Sequence, residues 1–340
     1  MKRDDTIVKS LFSLLRSGLW ARQEEFPSLT EEQWDRIIAE SRRQAVQGLV
    51  CEGAKHLPEE KAPVGEQSIN LLMEGYVLER RTAYVQEVFE VLVALFRSAG
   101  LSPVVQKGPA VAQYYANPLV RRSGDIDLYF TPEEFGDAVK VMEKEGVTAS
   151  PEPDGSLCYR WRQVTVEHHR RYFDSKCDFE GVEIPSPEAT LLLLSTHILK
   201  HAIGTGIGLK QLCDYAVACR ALKGKYDREG YLRRIRGAHL MRWQKMLDAF
   251  VCRYLGLPGE DAPTRGVAGG APDPERLLSI VLEGGDFGHH NPRRRLSGSE
   301  SDRRKNTVGF FVRRIPFAIS VAPGEWLYTV GRLVRGNLGH

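Results

Sequence analysis

Two aspartates separated by one residue stand where the sequence predicts a β-strand. Asp125 and Asp127 flank Ile126 at the start of the apolar segment DIDLYF. Because successive side chains of a strand point to opposite faces, the two carboxylates project on one side about 7 Å apart and Ile126 projects to the other. Hard cations such as Mg²⁺ prefer carboxylate oxygens and keep waters that substrate phosphates can replace. The pair is therefore a candidate metal site for phosphoryl or nucleotidyl transfer.

A third carboxylate lies on a second predicted strand. In Val164–His168 apolar and polar residues alternate, so the two valines are expected to face the core and Glu167 the opposite side. Two-metal transfer sites hold their ions about 3.5 to 4 Å apart. A third carboxylate can complete such a site and help to deprotonate the attacking hydroxyl. By the same parity, His169 is predicted to share the face of Glu167, whereas His168 points away.

A lysine–glycine pair precedes the aspartates, at the end of a predicted strand over residues 101–106. Gly108 lies where this strand turns into a short helix begun by Pro109. A glycine there lets the backbone approach a phosphate, and a helix N-terminus offers N–H groups to anions. Lys107 and the pair Arg121-Arg122 add cations nearby in sequence. This order of elements predicts a phosphate-binding turn beside the acidic strands.

These elements resemble the uncharacterised nucleotidyltransferases of the polymerase-beta-like superfamily. Members of that family show a Lys-Gly turn, a downstream Arg, an Asp-Ile-Asp-Leu strand and a later acidic residue beside His. Here the matching elements are Lys107-Gly108, Arg122, Asp125–Leu128 and Glu167-His168. The likeness continues through LLLLSTHILKHAIGTGIGLKQLCDYAVACR and spans about residues 30 to 258, with a weaker echo toward the C-terminus.

The resemblance implies roles for residues at the matching positions. It implies two bound Mg²⁺ ions, with Mn²⁺ as an alternative, and an NTP substrate whose phosphates contact Gly108. The wider superfamily normally has Gly-Ser at the turn, whereas Gly108-Pro109 in this chain lacks the serine hydroxyl that reaches a phosphate. The implied catalytic and metal-binding residues are Asp125, Asp127 and Glu167, and the implied phosphate-binding residues are Lys107, Gly108 and Arg122.

His197 and His201 lie four residues apart on a predicted helix and share a face, which is the spacing of zinc-binding helices. Ile198 stands where a metalloprotease helix has glutamate, so that motif is absent. We interpret the two histidines as packing and hydrogen-bonding groups that face the catalytic cleft. With His169 and Asp214 they form a candidate acceptor pocket. A metal hydrolase that uses His197, His201 and Asp214 is an alternative of another class.

The pattern of apolar residues predicts an α+β fold. It consists of a nucleotidyltransferase-fold core with a small mixed β-sheet, flanked by N-terminal and C-terminal helical segments. The predicted divisions are an N-terminal helical segment at 1–80, the catalytic core at 81–185, a helical domain at 186–258 and a loop-rich C-terminal segment at 259–340. Within the last of these, the basic stretch Asn291–Lys305 is predicted to be a surface loop.

Composition narrows the class of protein. The 340 residues are 42% hydrophobic and 27% charged, which is ordinary for globular proteins. The six cysteines show no CxxC pair, so reduced thiols are expected instead of a disulfide framework. With no signal-peptide pattern and no apolar run near 20 residues, a cytoplasmic protein without a membrane partner is expected. The net charge of +3 disfavours a nucleic-acid partner without excluding one.

Together these features predict a Mg²⁺-dependent nucleotidyltransferase. It would move a nucleoside monophosphate from an NTP to a hydroxyl of a small molecule, a protein or RNA. The alternative is a noncatalytic module of the same fold that binds a nucleotide or a partner. Three converging carboxylates disfavour that alternative because their repulsion costs stability without a metal, whereas the missing serine at Gly108-Pro109 favours it slightly. Which NTP and which acceptor are used is left open.

Overall fold

The computed structural model describes residues 5–152, 155–173, 179, 182, 184–204, 206–290 and 300–338. The N-terminal part is helical, with α1 (Asp5–Trp20), α2 (Glu31–Arg43), α3 (Gln47–Ala54) and the long α4 (Gly65–Ser98). The middle part holds β1 (Val104–Val105), α5 (Pro109–Ala112), β2 (Asp125–Tyr129), α6 (Pro132–Lys144), β3 (Ser150–Pro151), β4 (Leu157–Trp161) and β5 (Val164–His169). Further helices are α7 (Pro187–Ile203), α8 (Leu209–Leu222), α9 (Arg228–Gly237), α10 (Met241–Leu255), α11 (Glu275–Gly284), α12 (Glu300–Val321) and α13 (Pro323–Leu338).

The strands form one mixed sheet in the order β1-β2-β5-β4-β3. β2 and β5 are parallel neighbours, whereas the pairs β1-β2, β5-β4 and β4-β3 are antiparallel. Parallel neighbours need a long crossover, and the chain between β2 and β5 supplies it with α6, β3 and β4. The predicted α+β fold with a small mixed sheet between helical segments is confirmed.

One face of the sheet is covered by α4 and α6. Ile126 and Leu128 of β2, together with Val164 and Val166 of β5, are fully buried in an apolar cluster with Phe96 of α4. Because strand side chains alternate between faces, this packing turns the odd-numbered residues of β2 and β5 to the opposite face. The predicted parity of the two strands is therefore observed, and the acidic residues lie on the face away from this cluster.

A second, larger apolar cluster joins α1–α3 to α7–α11. Within it, the fully buried Trp243 donates its indole N–H to the carbonyl of Ser195 at 3.1 Å. Helix α4 contributes to both clusters, with Leu71 in the helical one and Val88 in the one beneath the sheet. The helix therefore runs across the predicted division at residue 80 and connects the two cores.

Helix α7, which bears the two histidines, begins where its capping residues predict. Ser186 is the N-cap, and its hydroxyl accepts a hydrogen bond from the backbone N–H of Ala189 at 3.1 Å. Pro187 occupies the first helical position, where no amide hydrogen is needed. The start of α7 sets which of its residues face the sheet.

The C-terminal part differs from the loop-rich segment predicted at 259–340. Glycine and proline do keep residues 257–274 largely irregular, but α11, α12 and α13 follow. In α11 the apolar residues Leu277, Ile280 and Val281 are buried. Residues 300–305 of the predicted basic loop belong to α12, since arginine, lysine and glutamate are good helix formers. Residues 291–299 of that loop lie outside the described residues.

Residues Tyr231–Leu255, which the periodicity suggests as one helical run, form two helices. The break between α9 and α10 contains His239 in the left-handed region at φ 59°.

Within the described ranges, no helix combines the length and apolarity that a membrane span requires. Cys177 lies outside the described residues, and the described cysteines are free thiols: Cys51, Cys158, Cys213, Cys219 and Cys252.

His168 lies on the core side of β5, as its parity predicts. Its Nε2 is 2.7 Å from the hydroxyl of Tyr159, and its ring lies 4.8 Å from Phe130 and 5.4 Å from Phe96, centroid to centroid. Burial, with a smaller contribution from His169, lowers the pKa of His168 to about 3. The side chain is therefore neutral in the folded protein at neutral pH.

This burial predicts a pH dependence of stability. In the unfolded chain His168 becomes protonated as the pH falls through about 6.5. In the folded protein it stays neutral until about pH 3. His168 therefore lowers the free energy of unfolding as the pH falls, by about 2 kcal/mol between pH 7 and pH 5. We expect His168→Gln, which can still pair with Tyr159, to lack this contribution. In urea titrations at the two pH values, its free energy of unfolding should therefore gain about 2 kcal/mol on that of the wild type at pH 5 relative to pH 7. The exposed-site control His239→Asn should show no such relative gain, and the absence of the gain in His168→Gln would contradict the prediction.

Candidate active site

A cavity of about 420 Å³ lies between the free face of the sheet and the helices α7 and α8. This volume is within the range of small-molecule sites. The sheet wall carries Lys107, Gly108, Asp125, Asp127, Glu167 and His169, and the helical wall includes His197, His201 and Asp214. Of the predicted site residues, Arg122 is the exception and does not line the cavity.

The register of β2 and β5 brings two of the carboxylates together. Asp127 lies directly opposite Glu167 in the parallel pair, so both project into the cavity side by side. The Nε2 of His169 is 3.0 Å from Asp127 Oδ1 and 3.4 Å from Glu167 Oε2. Each of these three residues offers a ligand atom, and the three atoms lie within 4.8 Å of one another. Asp125, two residues earlier on the same face, extends the acidic wall.

Asp127 is kept ionised by its neighbours. Burial alone would raise its pKa, but the ammonium of Lys107, 3.1 Å from Oδ1, and the imidazole of His169 lower the pKa well below its usual range. Lys107, which the resemblance assigns to the phosphates, therefore lies against Asp127 in this structure. His169, predicted for the acceptor pocket, lies against the carboxylates as well.

Glu167 shifts in the opposite direction. Burial is the larger cause and the charges of Asp127 and Asp125 add to it, so the pKa of Glu167 is raised to about 7. A carboxyl group poised near neutral pH is suited to accept a proton from an attacking group. The two neighbouring carboxylates thus divide into a permanently charged Asp127 and a Glu167 that titrates near pH 7.

The donor atoms fit a divalent cation. The carboxylates of Asp127 and Glu167, with Asp125 on the same face, supply the oxygen ligands that Mg²⁺ prefers. The imidazole of His169 is a ligand type that transition metals accept more readily than Mg²⁺ does. Among the described residues, one set of three potential metal ligands is close enough to share an ion, and it consists of Asp127, Glu167 and His169. His197, His201 and Asp214 do not form such a set there, so the structure does not support the alternative metal hydrolase.

Gly108 adopts a conformation that other residues rarely take, with φ 57° and ψ −115°. A Cβ atom at this position would also lie 3.3 Å from the carbonyl oxygen of Asp125. The predicted helix after it, α5, is a single turn of four residues, so its dipole contributes little to anion binding. Contact with a phosphate at this turn therefore depends on the backbone of Gly108, which lines the cavity, and on Lys107.

The arginine of the site is Arg121 and not Arg122. Arg121 is buried, and its Nε and Nη2 donate to the two carboxylate oxygens of Asp214 at 2.7 and 2.8 Å. The hydroxyl of Tyr115 donates to the same carboxylate at 2.7 Å. Arg122 is exposed, because the short 3₁₀ turn at Pro118–Val120 directs Arg121 inward instead. The predicted phosphate role of Arg122 therefore has no support in the structure. Asp214 is engaged in a buried ion pair that joins the segment before β2 to α8.

His197 and His201 line the cavity on one face of α7, with ring centroids 4.6 Å apart. Sequence reasoning missed six other residues of the helical wall: Leu194, Ile198, Lys200, Lys210, Gln211 and Phe287. The glycine-rich segments GTGIG and EGGDFG, which bring Phe287 to the wall, were the available signal. A single sequence gives no reason to bring these two segments together across 80 residues of chain.

A family model described as an uncharacterised nucleotidyltransferase matches residues 30–252, more than half of the chain. The protein belongs to this nucleotidyltransferase family. The predicted resemblance is thereby confirmed, and the mixed sheet is the core of a nucleotidyltransferase. No curated protein and no solved structure matches the chain. The matched region of this nucleotidyltransferase includes every residue discussed above on both cavity walls except Phe287.

The ion pair of Arg121 predicts a large loss of stability when its partner is removed. Asp214→Ala leaves a buried guanidinium without a counter-charge, and we expect the free energy of unfolding to fall by about 3–5 kcal/mol in denaturant titrations. The double variant Arg121→Met/Asp214→Leu removes both charges, so its free energy of unfolding should fall by less than that of Asp214→Ala. Asp137→Ala, which breaks an exposed pair with Lys140 on α6, is the control and should remain near wild type. Equal losses in Asp214→Ala and Asp137→Ala would contradict this role.

The raised pKa of Glu167 predicts the opposite pH dependence from that of His168. Because the folded pKa of about 7 exceeds the reference value of 4.5, the folded protein binds a proton that the unfolded chain has lost. In the presence of a chelator, the contribution of Glu167 to the free energy of unfolding should therefore decrease as the pH rises from 4.5 to 7. Glu167→Gln should lack this component, and added Mg²⁺ or Mn²⁺ should restore wild-type stability most at the higher pH. Parallel pH profiles of the melting temperature for the two proteins would refute the assignment.

Proposed function

We propose that this protein transfers a nucleoside monophosphate from a nucleoside triphosphate to a hydroxyl group of an acceptor. The observation that carries the proposal is the pairing of Asp127 with Glu167 across parallel strands, with Asp125 on the same face and the Gly108 turn beside them. This arrangement lies within a member of a nucleotidyltransferase family. Its carboxylates and its glycine turn are what metal-assisted transfer of a phosphoryl centre requires.

We propose that Asp125, Asp127 and Glu167 hold divalent cations, Mg²⁺ first and Mn²⁺ as an alternative. When bound, such a cation supplies the charge neutralisation that the triphosphate and the departing pyrophosphate need. The imidazole of His169 contacts both Asp127 and Glu167 and so holds the two carboxylates in place. Lys107 adjoins Gly108 and contacts Asp127, which allows its ammonium to serve either the carboxylate or a phosphate.

In the proposed reaction, the acceptor hydroxyl oxygen forms a bond to the α-phosphorus. The bond from that phosphorus to the α,β-bridging oxygen breaks, and pyrophosphate leaves. The hydroxyl proton passes to the carboxylate of Glu167, whose pKa near 7 suits a general base at neutral pH. We propose a small molecule, a protein or RNA as the acceptor and a cytoplasmic location, which the free thiols support.

One observation favours the second candidate, a noncatalytic nucleotide-binding module. Pro109 replaces the serine of the wider superfamily, and α5 after it is one turn long, so the turn offers fewer phosphate contacts. Retention of Asp125, Asp127 and Glu167 on one wall of the cavity supports the transferase more strongly, because a binding module gains nothing from their mutual repulsion. The two candidates differ in whether a labelled product forms.

We expect the wild-type protein to bind at least one NTP in the presence of Mg²⁺ or Mn²⁺ in calorimetry. With α-³²P-labelled NTP it should transfer label to a component of a metabolite and macromolecule mixture. Asp127→Asn should reduce transfer by about two orders of magnitude or more, the scale of losing one key electrostatic group. Asp137→Asn, at an exposed aspartate on α6, is the matched control and should keep wild-type activity. NTP binding without label transfer would favour the noncatalytic module, and no binding of any NTP would reject both candidates.

A further inference from the structure

The helical wall of the cavity carries an apolar and aromatic patch that nucleotidyl transfer itself does not require. Leu194 and Ile198 are buried one turn apart on α7 and line the cavity. The ring of Phe287 lies edge-on to His201, with centroids 4.7 Å apart. Among the described cavity residues, Phe287 is the one with a carbocyclic aromatic ring. We call Leu194, Ile198, Phe287 and Gln211 the Phe287 patch.

The backbone holds Phe287 in place at an energetic cost. Phe287 has φ 47° and ψ 25°, a left-handed conformation that is uncommon for a bulky residue. Its turn packs directly against the loop before α8, where a Cβ on Gly208 would lie 2.9 Å from the Cα of Asp286. A Cβ on Gly206 would lie 3.2 Å from the Cα of Gly288. Strain of this kind persists where the surrounding structure enforces it, and it is concentrated at ligand sites.

Gln211 adds a hydrogen-bond acceptor of fixed orientation to the patch. Its Nε2 donates to Asp286 Oδ1 at 3.0 Å, and since a carboxylate accepts only, the amide cannot be reversed. Gln211 is 5% exposed and lines the cavity, and its Oε1 has no hydrogen-bond partner among the described residues. A buried acceptor without a donor is unfavourable, so a ligand N–H group at this position would be bound selectively.

We propose that the Phe287 patch binds the nucleobase of the NTP and prefers adenine or cytosine, which carry an amino group at the position where guanine, hypoxanthine and uracil carry a carbonyl oxygen. This inference rests on the proposed function and assigns the part of the substrate that the sheet wall leaves without contacts. The carboxylates and the Gly108 turn account for the phosphates, whereas a base needs an apolar surface for its ring and a partner for its polar edge. Phe287, Leu194 and Ile198 supply the surface, and Gln211 Oε1 accepts from the amino group, which hypoxanthine and uracil replace with an acceptor oxygen.

The test compares ligands that contain or lack each part. Binding of the α,β-methylene analogues of ATP and of inosine triphosphate, and of tripolyphosphate, is measured by calorimetry with Mg²⁺. Wild-type protein should bind the ATP analogue about tenfold more tightly than the inosine analogue, the scale of one buried hydrogen bond. Phe287→Leu should weaken the ATP analogue about tenfold and leave tripolyphosphate unchanged. Gln211→Met should bind the two analogues equally.

The controls separate this inference from the function on which it rests. Phe89→Leu, at a half-buried phenylalanine of the cluster beneath the sheet, should bind all three ligands as the wild type does. Phe287→Gly removes the ring and relieves the left-handed strain, so a loss of ATP-analogue binding in this variant would not come from added backbone strain at the turn. The inference would be overturned if both Phe287 variants bound the ATP analogue as the wild type does, or if their binding of tripolyphosphate weakened as much as their binding of the ATP analogue. Either result would leave the proposed transferase function standing. Failure of the wild type to bind either the ATP analogue or tripolyphosphate would overturn both.

Discussion

The repulsion between carboxylates held side by side on β2 and β5 is the constraint that shapes this protein. Parallel pairing places Asp127 opposite Glu167, and neither can turn away because the alternate residues of both strands are locked into the core beneath the sheet. Lys107 and His169 contact Asp127 and offset its charge. At Glu167 the repulsion contributes to a pKa raised to about 7. Positive charge that enters such a site relieves the repulsion between its carboxylates, which is the physical basis for the divalent cation proposed there.

The helical wall is held against this acidic face by a separate device. Arg121 and Asp214 form a two-point ion pair in the interior, and Tyr115 shares the carboxylate. Arg121 lies in the segment between the 3₁₀ turn and β2, and Asp214 lies on α8, so the pair joins the segment that leads into the aspartate-bearing strand to the helix that closes the cavity. Two-point geometry restrains orientation as well as distance. The cavity volume therefore depends on residues that do not touch a reacting atom in the proposed chemistry.

The two walls differ in chemistry, which suits the two ends of a nucleotide. The sheet wall is charged and presents carboxylates, a lysine and a glycine backbone, whereas the helical wall adds Phe287, Leu194, Ile198 and a buried amide. The sheet wall and most of the helical wall lie within the region that matches the family model. Phe287 comes from beyond it and reaches the cavity through a glycine-bounded turn packed on another glycine loop. The surface that would contact a base is thus completed by the part of the chain outside the matched family region.

The sequence by itself determined which face of each strand carries which residues. Alternation in Asp125–Tyr129 and Val164–His169 is a local property, so the separation of Glu167 and His169 from His168 could be predicted without any knowledge of the fold. The turn at Gly108 and the short helix begun by Pro109 were predictable for the same reason. Only the tertiary structure decided that Arg121 and not its neighbour points inward, that Asp214 pairs with it, and that Phe287 completes the cavity. Those choices depend on contacts between segments some 80 to 90 residues apart, where packing and the burial of charge select the partner and local periodicity carries no information.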